Sequence, residues 1–260
     1  MRSILVMADH KPGSEACLEA AIELARQRDG HLTVLVDTPF SRFIATDPMG
    51  GNYILAEALD KARKEDDAFA AAIEERIARS GIPFDVVRSE DDQVSALAAA
   101  ARLSDLVVVS RSSGQAGELA LVSRTPVLAL PDASHLALPI RRACVAWDGG
   151  EQAAAALRGA VPLLKTCELV KVISVTEKAG GFPATDALRY LSRHGIHADY
   201  EEYERQASTE ETLAIAVTQS HAELLVMGAY GKSRMREFLF GGVTAYFLKE
   251  ATAPALLLQH

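Results

Sequence analysis

The 260-residue chain carries one segment pattern twice, and duplication leaves few folds open. Ile4-Leu-Val-Met-Ala8-Asp9, then Gly13-Ser14-Glu15-Ala16, has its counterpart in Cys144-Val-Ala-Trp147-Asp148, then Gly149-Gly150-Glu151-Gln152-Ala153. In both, an apolar run ends in Asp, passes a Gly turn and enters an Ala-rich helix with Glu in its first turn. Ser104-Asp105-Leu106-Val-Val-Val109 matches Ala222-Glu223-Leu224-Leu-Val-Met227. Thr125-Pro126-Val-Leu-Ala-Leu130 matches Ala253-Pro254-Ala-Leu-Leu-Leu258. Four anchors in one order make two copies of one domain.

Within each copy, strand-like and helix-like stretches alternate. Strands are predicted near 3–8, 31–36, 83–88, 105–109 and 126–130, with helices near 14–28, 55–80 and 92–102. The second copy repeats this with strands near 142–147, 169–175, 197–203, 223–227 and 254–258, and helices near 151–165, 184–194, 208–221 and 243–251. Such alternation predicts a parallel sheet with helices on both faces, whose ligands bind at strand carboxyl ends where strand order reverses. Asp9, Asp148 and Gly228 fall at such ends. Residues 130–139 read as the linker, giving domains 1–138 and 139–260. The last strands of the two copies are apolar and belong at sheet edges, which pair readily. They are expected to pair between copies as a pseudo-dimer, between chains as a homodimer, or both.

Composition narrows the function. The net charge is −8, against a nucleic-acid partner. Residues 1–140 hold 14 basic and 21 acidic groups, residues 141–260 hold 13 and 14, so the second half repels a phosphate less. No apolar run approaches the ~20 residues of a membrane span. Nor does the amino terminus resemble a secretory signal. Cys17, Cys144 and Cys167 form no CxxC pair and read as buried thiols in a reducing, cytoplasmic setting.

The copies differ where ligand chemistry belongs. From Leu224 to Pro254 the second copy runs 30 residues, and it keeps the spacing Gly228-x2-Gly231-x9-Gly241; the first runs 20 from Leu106 to Pro126. The missing ten are expected to remove the loop and much of the following helix. Glycines at a strand end and a helix start let backbone N–H groups approach a phosphate, although they equally suit ordinary tight loops. The first copy has instead a stretch at 38–53, rich in Pro and Gly, expected to be a mobile surface loop.

Taken together, the tandem halves, the strand-end Asp and the glycine spacing resemble the universal stress protein family, in its tandem two-domain bacterial type. The likeness runs along essentially the whole chain, strongly over 141–260 and weakly over 1–140. It implies an α/β fold of two Rossmann-like (adenine-nucleotide-hydrolase-like) domains, each a five-stranded mainly parallel sheet flanked by helices. Members of the family bind ATP or AMP, or no nucleotide at all. The resemblance therefore implies a cytosolic stress-response protein with an adenine nucleotide in its C-terminal domain and Mg2+ only alongside ATP. The alternative is a ligand-free interaction or dimerisation module.

Carried over by motif, Asp148 would reach adenine or ribose, and Val172, after the second strand, would offer backbone atoms to adenine. Gly228 and Gly231 would admit ribose and phosphates, and Gly241, Gly242 and Val243 would present N–H groups to the phosphates. Lys232, Arg234 and Arg236 would neutralise phosphate charge or form a solvated basic loop. One departure stands out: the nucleotide-binding version has Ser or Thr where this chain has Gly242. The lost hydroxyl is one hydrogen bond, about 1 kcal/mol or somewhat more for a charged acceptor. Thr244 would replace it in part or cap the helix. Asp9, beside the shortened loop, is expected only to cap its own turn.

Other chemistries fit less well. Gly231-Lys232-Ser233 ends like a phosphate-binding P-loop, but position 226 is Val. Ser110-Arg-Ser112-Ser-Gly114 falls short of a nucleophile elbow, and Asp132 and His135 sit in the linker. His194 and His197 lack neighbouring ligands for a metal. Glu237 is no clear general base. Binding without efficient turnover is expected, the nucleotide acting by shifting populations of a surface that an unidentified protein partner reads.

Overall fold

A computed structural model describes residues 1–11, 13–47, 51–132, 136–176, 183–231, 242–250 and 252–260. The first copy runs β1 (Ser3–Met7), α1 (Ser14–Gln27), β2 (His31–Asp37), β3 (Ile44–Thr46), β4 (Asn52–Ile54), α2 (Ala56–Ala78), β5 (Phe84–Ser89), α3 (Gln93–Ala100), β6 (Leu106–Ser110), α4 (Ala116–Val122) and β7 (Val127–Leu130). The second runs β8 (Arg142–Ala146), α5 (Glu151–Leu164), β9 (Leu169–Thr176), α6 (Ala184–Arg193), β10 (Asp199–Glu204), α7 (Thr209–Gln219), β11 (Leu224–Gly228), α8 (Val243–Lys249) and β12 (Ala255–Gln259).

Ten strands make one sheet in the order β10-β9-β8-β11-β12-β7-β6-β1-β2-β5. Pairing is parallel within each half. The two halves meet in the antiparallel pair β7–β12, where Val127, Leu128 and Ala129 face Leu258, Leu257 and Leu256. All six are fully buried, so the apolar edges that sequence placed at the end of each half cover one another.

Apolar runs without alternation form the central strands because both faces are covered. In β1, Ile4 and Val6 join the core under α1 and α5, while Leu5 and Met7 join the opposite core under α3, α4, α7 and α8. Helices α1 and α5 start after Gly13 and Gly150, each with a Glu in its first turn. Asp92 and Ser208 cap α3 and α7 through the N–H groups of Ser95 and Glu211.

Two expectations are corrected. The stretch expected as a surface loop at 38–53 holds local structure, a 3-10 turn at Phe40–Phe43 and strand β3, which pairs antiparallel with β4 (Asn52–Ile54). The shorter connection in the first copy costs it no helix, since α4 and α8 each span seven residues. The missing residues come out of the connection before the helix.

Candidate nucleotide site at the second switch point

In the second half, strand order reverses between β8 and β11, the place where an α/β sheet of this kind has its ligand crevice, beyond the strands' carboxyl ends. Trp147 continues β8: its N–H donates to Ile173 O at 2.8 Å, and its carbonyl accepts from Ser174 Oγ at 2.8 Å. Asp148 follows, exposed at the rim. Its Oδ1 accepts the Gly150 N–H at 2.8 Å, closing the turn into α5. Asp9 makes the same turn in the first copy, accepting from the Lys11 N–H at 3.0 Å.

At the end of β11 the chain has no room for a side chain. A Cβ on Gly228 would stand 2.6 Å from Ala153 N, 2.7 Å from Gln152 C and 2.8 Å from Gln152 Cβ. Gly228 therefore lets α5 sit directly on the strand end, which sets Gln152 over the crevice. Gly231 has space: a Cβ there would lie 3.6 Å from both Asp148 Oδ2 and Gln152 Oε1. Asp148, Gln152 and Gly231 thus converge. Sequence reading missed Gln152, whose only signal is its place in the first turn of the helix after Asp148.

Ala229 is held by its N–H to Gln259 O at 2.9 Å, and its carbonyl lies 2.7 Å from His260 Nδ1. Tyr230 then adopts φ +55°. Its N–H donates to Thr244 Oγ1 at 3.3 Å, tying the start of the loop to the second residue of α8. Thr244 is therefore not a helix cap, contrary to expectation. The cap position is Gly242, exposed, at φ +114° and ψ 171°, and no side chain caps this helix among the described residues. That conformation belongs to glycine alone. Gly242 is thus more than a missing hydroxyl, because the local backbone excludes Ser or Thr there. Val243, half-buried, opens α8. Gly241, Lys232, Arg234, Arg236 and Glu237 lie outside the described residues.

Val172 requires correction. It stands mid-strand in β9, fully buried and registered between Val145 and Tyr200, so it does not follow the strand. The strand runs on to Thr176, which places Val175 nearer the level of Asp148.

The equivalent crevice of the first copy is filled by its own side chains. Lys11 Nζ reaches Gln93 Oε1 at 2.9 Å, Gln93 Nε2 donates to Asp37 Oδ1 at 2.9 Å, and the Gln115 amide donates to Gln93. Ser110 donates to Asp132, a residue that the sequence placed out of reach in the linker. Burial pushes the Asp37 carboxyl up, and the Gln93 bond opposes this. The cavity left among Asp9, Lys11, Ser14, Ser110 and Gln115 is about 10 Å3, the scale of one water. Sequence offered no sign of this network, because its members come from five separate segments.

Elsewhere, Cys17 and Cys144 are buried and Cys167 half-buried, all three as free thiols; burial drives Cys17 and Cys167 up to about 12. The His194 ring packs on Tyr190 at 4.6 Å. No helix among the described residues is long and apolar enough to cross a membrane.

The universal stress protein family model matches residues 1–126 and again residues 139–259. The chain belongs to the universal stress protein family. It is similar in fold to a universal stress protein from Archaeoglobus fulgidus, at TM-score 0.75 and 14% identity over 99% of this chain and 96% of that one. A functionally unknown protein from Pseudomonas aeruginosa matches at TM-score 0.62 and 16% identity, over 100% and 92%. Among curated proteins, none matches the chain in sequence. These universal stress protein likenesses account for the mostly parallel α/β sheet and its tandem organisation.

Proposed function

We propose that the second copy binds an adenine nucleotide, ATP or AMP, as a regulatory ligand in a cytosolic stress-response protein. One observation carries the reading: Asp148, Gln152 and Gly231 converge at the switch point of the second copy, whereas side chains of the first copy occupy its matching crevice. Asp148 and Gln152 supply polar groups for ribose or base, and the bare Gly231 backbone leaves space beside them. Val175 takes over from Val172 as the backbone nearest the adenine. Mg2+ would accompany ATP only. Binding without efficient turnover is part of the same reading.

A second reading, a ligand-free interaction module, draws on Gly242, whose conformation excludes the phosphate-binding hydroxyl, and on Gly228, whose lack of a side chain serves packing. The decisive experiment denatures the purified protein, identifies any released adenine nucleotide, and titrates the emptied protein with ATP and AMP. The chain's single tryptophan, Trp147, precedes Asp148, and its fluorescence is followed through the titration alongside calorimetry. About one nucleotide per chain, lost in Gly231→Val with the fold retained, supports the ligand. No release and no binding at millimolar concentration leaves the interaction module.

A further inference from the structure

The contact that crosses from one copy to the other at the root of the glycine loop is made by Tyr230. Its backbone is fixed twice: by φ +55°, and by the N–H bond to Thr244 Oγ1 at 3.3 Å. Its side chain leaves the second copy and ends against Gly117, in the first turn of α4. A Cβ on Gly117 would overlap the Tyr230 hydroxyl, would stand 3.0 Å from Leu248 Cδ1, and would meet Tyr230 Cζ only at 3.5 Å, an ordinary contact. Gly117 is at neither a turn nor a positive φ, and the atoms a side chain there would meet are the ends of the Tyr230 and Leu248 side chains. Burial raises the Tyr230 phenol, as expected of a hydroxyl lodged between two helices. The next residue, Gly231, is the one that lies against Asp148 and Gln152.

We propose that Gly117, a residue of the first copy, is a positioning residue for the nucleotide site of the second, because it seats Tyr230 and thereby sets where Gly231 stands against Asp148. The inference rests on the nucleotide reading above. It gives the first copy, whose own crevice is filled, a part in the site of the other. Moving the Tyr230 ring outward turns the chain at its peptide link to Gly231, while the α5 contacts that hold Asp148 and Gln152 stay in place.

The test is a rescue. Nucleotide affinity, read by Trp147 fluorescence and by calorimetry, is compared in the full-length wild type, Gly117→Ala, Tyr230→Phe and the double variant. Gly117→Ala is expected to lose roughly tenfold in affinity, the scale of forcing one methyl into a packed contact. Tyr230→Phe removes the overlapping oxygen, so the double variant regains affinity near that of Tyr230→Phe alone. Arg111→Met, which removes another bond between the copies (Arg111 Nη1 to Ala253 O, 3.0 Å), should lower Tm and leave affinity unchanged, separating positioning from general loosening. Should Gly117→Ala fail to fold, Tyr230→Ala vacates the socket without overpacking it and should show the same loss. Wild-type affinity in Gly117→Ala, or in Tyr230→Ala where that variant stands in, overturns the proposal, as does a double variant no better than Gly117→Ala. A wild type that binds neither ATP nor AMP overturns the nucleotide reading and this inference with it.

Discussion

Gly228→Ala isolates the packing role of a glycine that sequence assigns to a ligand. The added Cβ would meet Gln152 C, Gln152 Cβ and Ala153 N at 2.6–2.8 Å. Two of these atoms are main chain, so no rotamer change relieves them. The first turn of α5 must rise by several tenths of an ångström from β11, and a gap of that size forfeits a quarter or more of the dispersion energy of the atoms it separates. Overpacking of this kind costs ~1–3 kcal/mol, and the rigid neighbours put Gly228→Ala near the top, about 2–3 kcal/mol. For a chain of this length that is a fall in Tm of roughly 4–12 °C. Gly231→Ala is the control: among the described residues its Cβ meets two side-chain oxygens at 3.6 Å, so stability should stay within about 0.5 kcal/mol. Scanning calorimetry and urea midpoints measure both. A Gly228→Ala protein as stable as the wild type would refute the seating of α5 on the strand end.

Three further outcomes follow from the same structure. Gly242→Ser, which restores the family's hydroxyl in sequence, should destabilise by about 1–3 kcal/mol because φ +114° is closed to serine; an unchanged urea midpoint contradicts this. Burial holds the Asp37 carboxyl above its ordinary 3.8, so the folded chain binds that proton more tightly than the unfolded one. Its stabilising contribution is complete below that value and is lost as pH rises through the raised folded value. Asp37→Asn keeps an acceptor for Gln93, and is expected to raise Tm at pH 7 and flatten that limb of the profile; an equal or lower Tm at pH 7 counts against it. Leu257→Ala, fully buried opposite Leu128, should cost about 2–5 kcal/mol by equilibrium unfolding, and a loss under 1 would mean the junction is loosely packed.

The fold was legible because its signals are local. Apolar runs bounded by Gly, Pro and Asp gave the central strands, and the repeat supplied the order of the elements. The β7–β12 pairing is one of the two partnerships that apolar edges in need of cover had left open. Of the candidate site, sequence located the residues that stand at the end of their own strand, as it did Asp148. Val172 was misplaced although the strand was read to 175, because a role carried over by family motif fixes no register within β9. The roles of Gly228 and Gly117 depend on what lies across from them in space, and Gly looks the same in sequence whether it bends a loop or admits a neighbour. The hairpin at 44–54 was hidden because its strands are three residues each, too short for alternation to register.

The β7–β12 junction joins two halves that share one backbone, so the association it represents is unimolecular. Paired separate chains come apart on dilution and melt at temperatures that depend on concentration; a junction closed within one chain does neither. Tethering also frees the halves from having to be alike. The half that supplies its neighbour with a wall and a socket can fill its own crevice with side chains and still keep its place in the sheet.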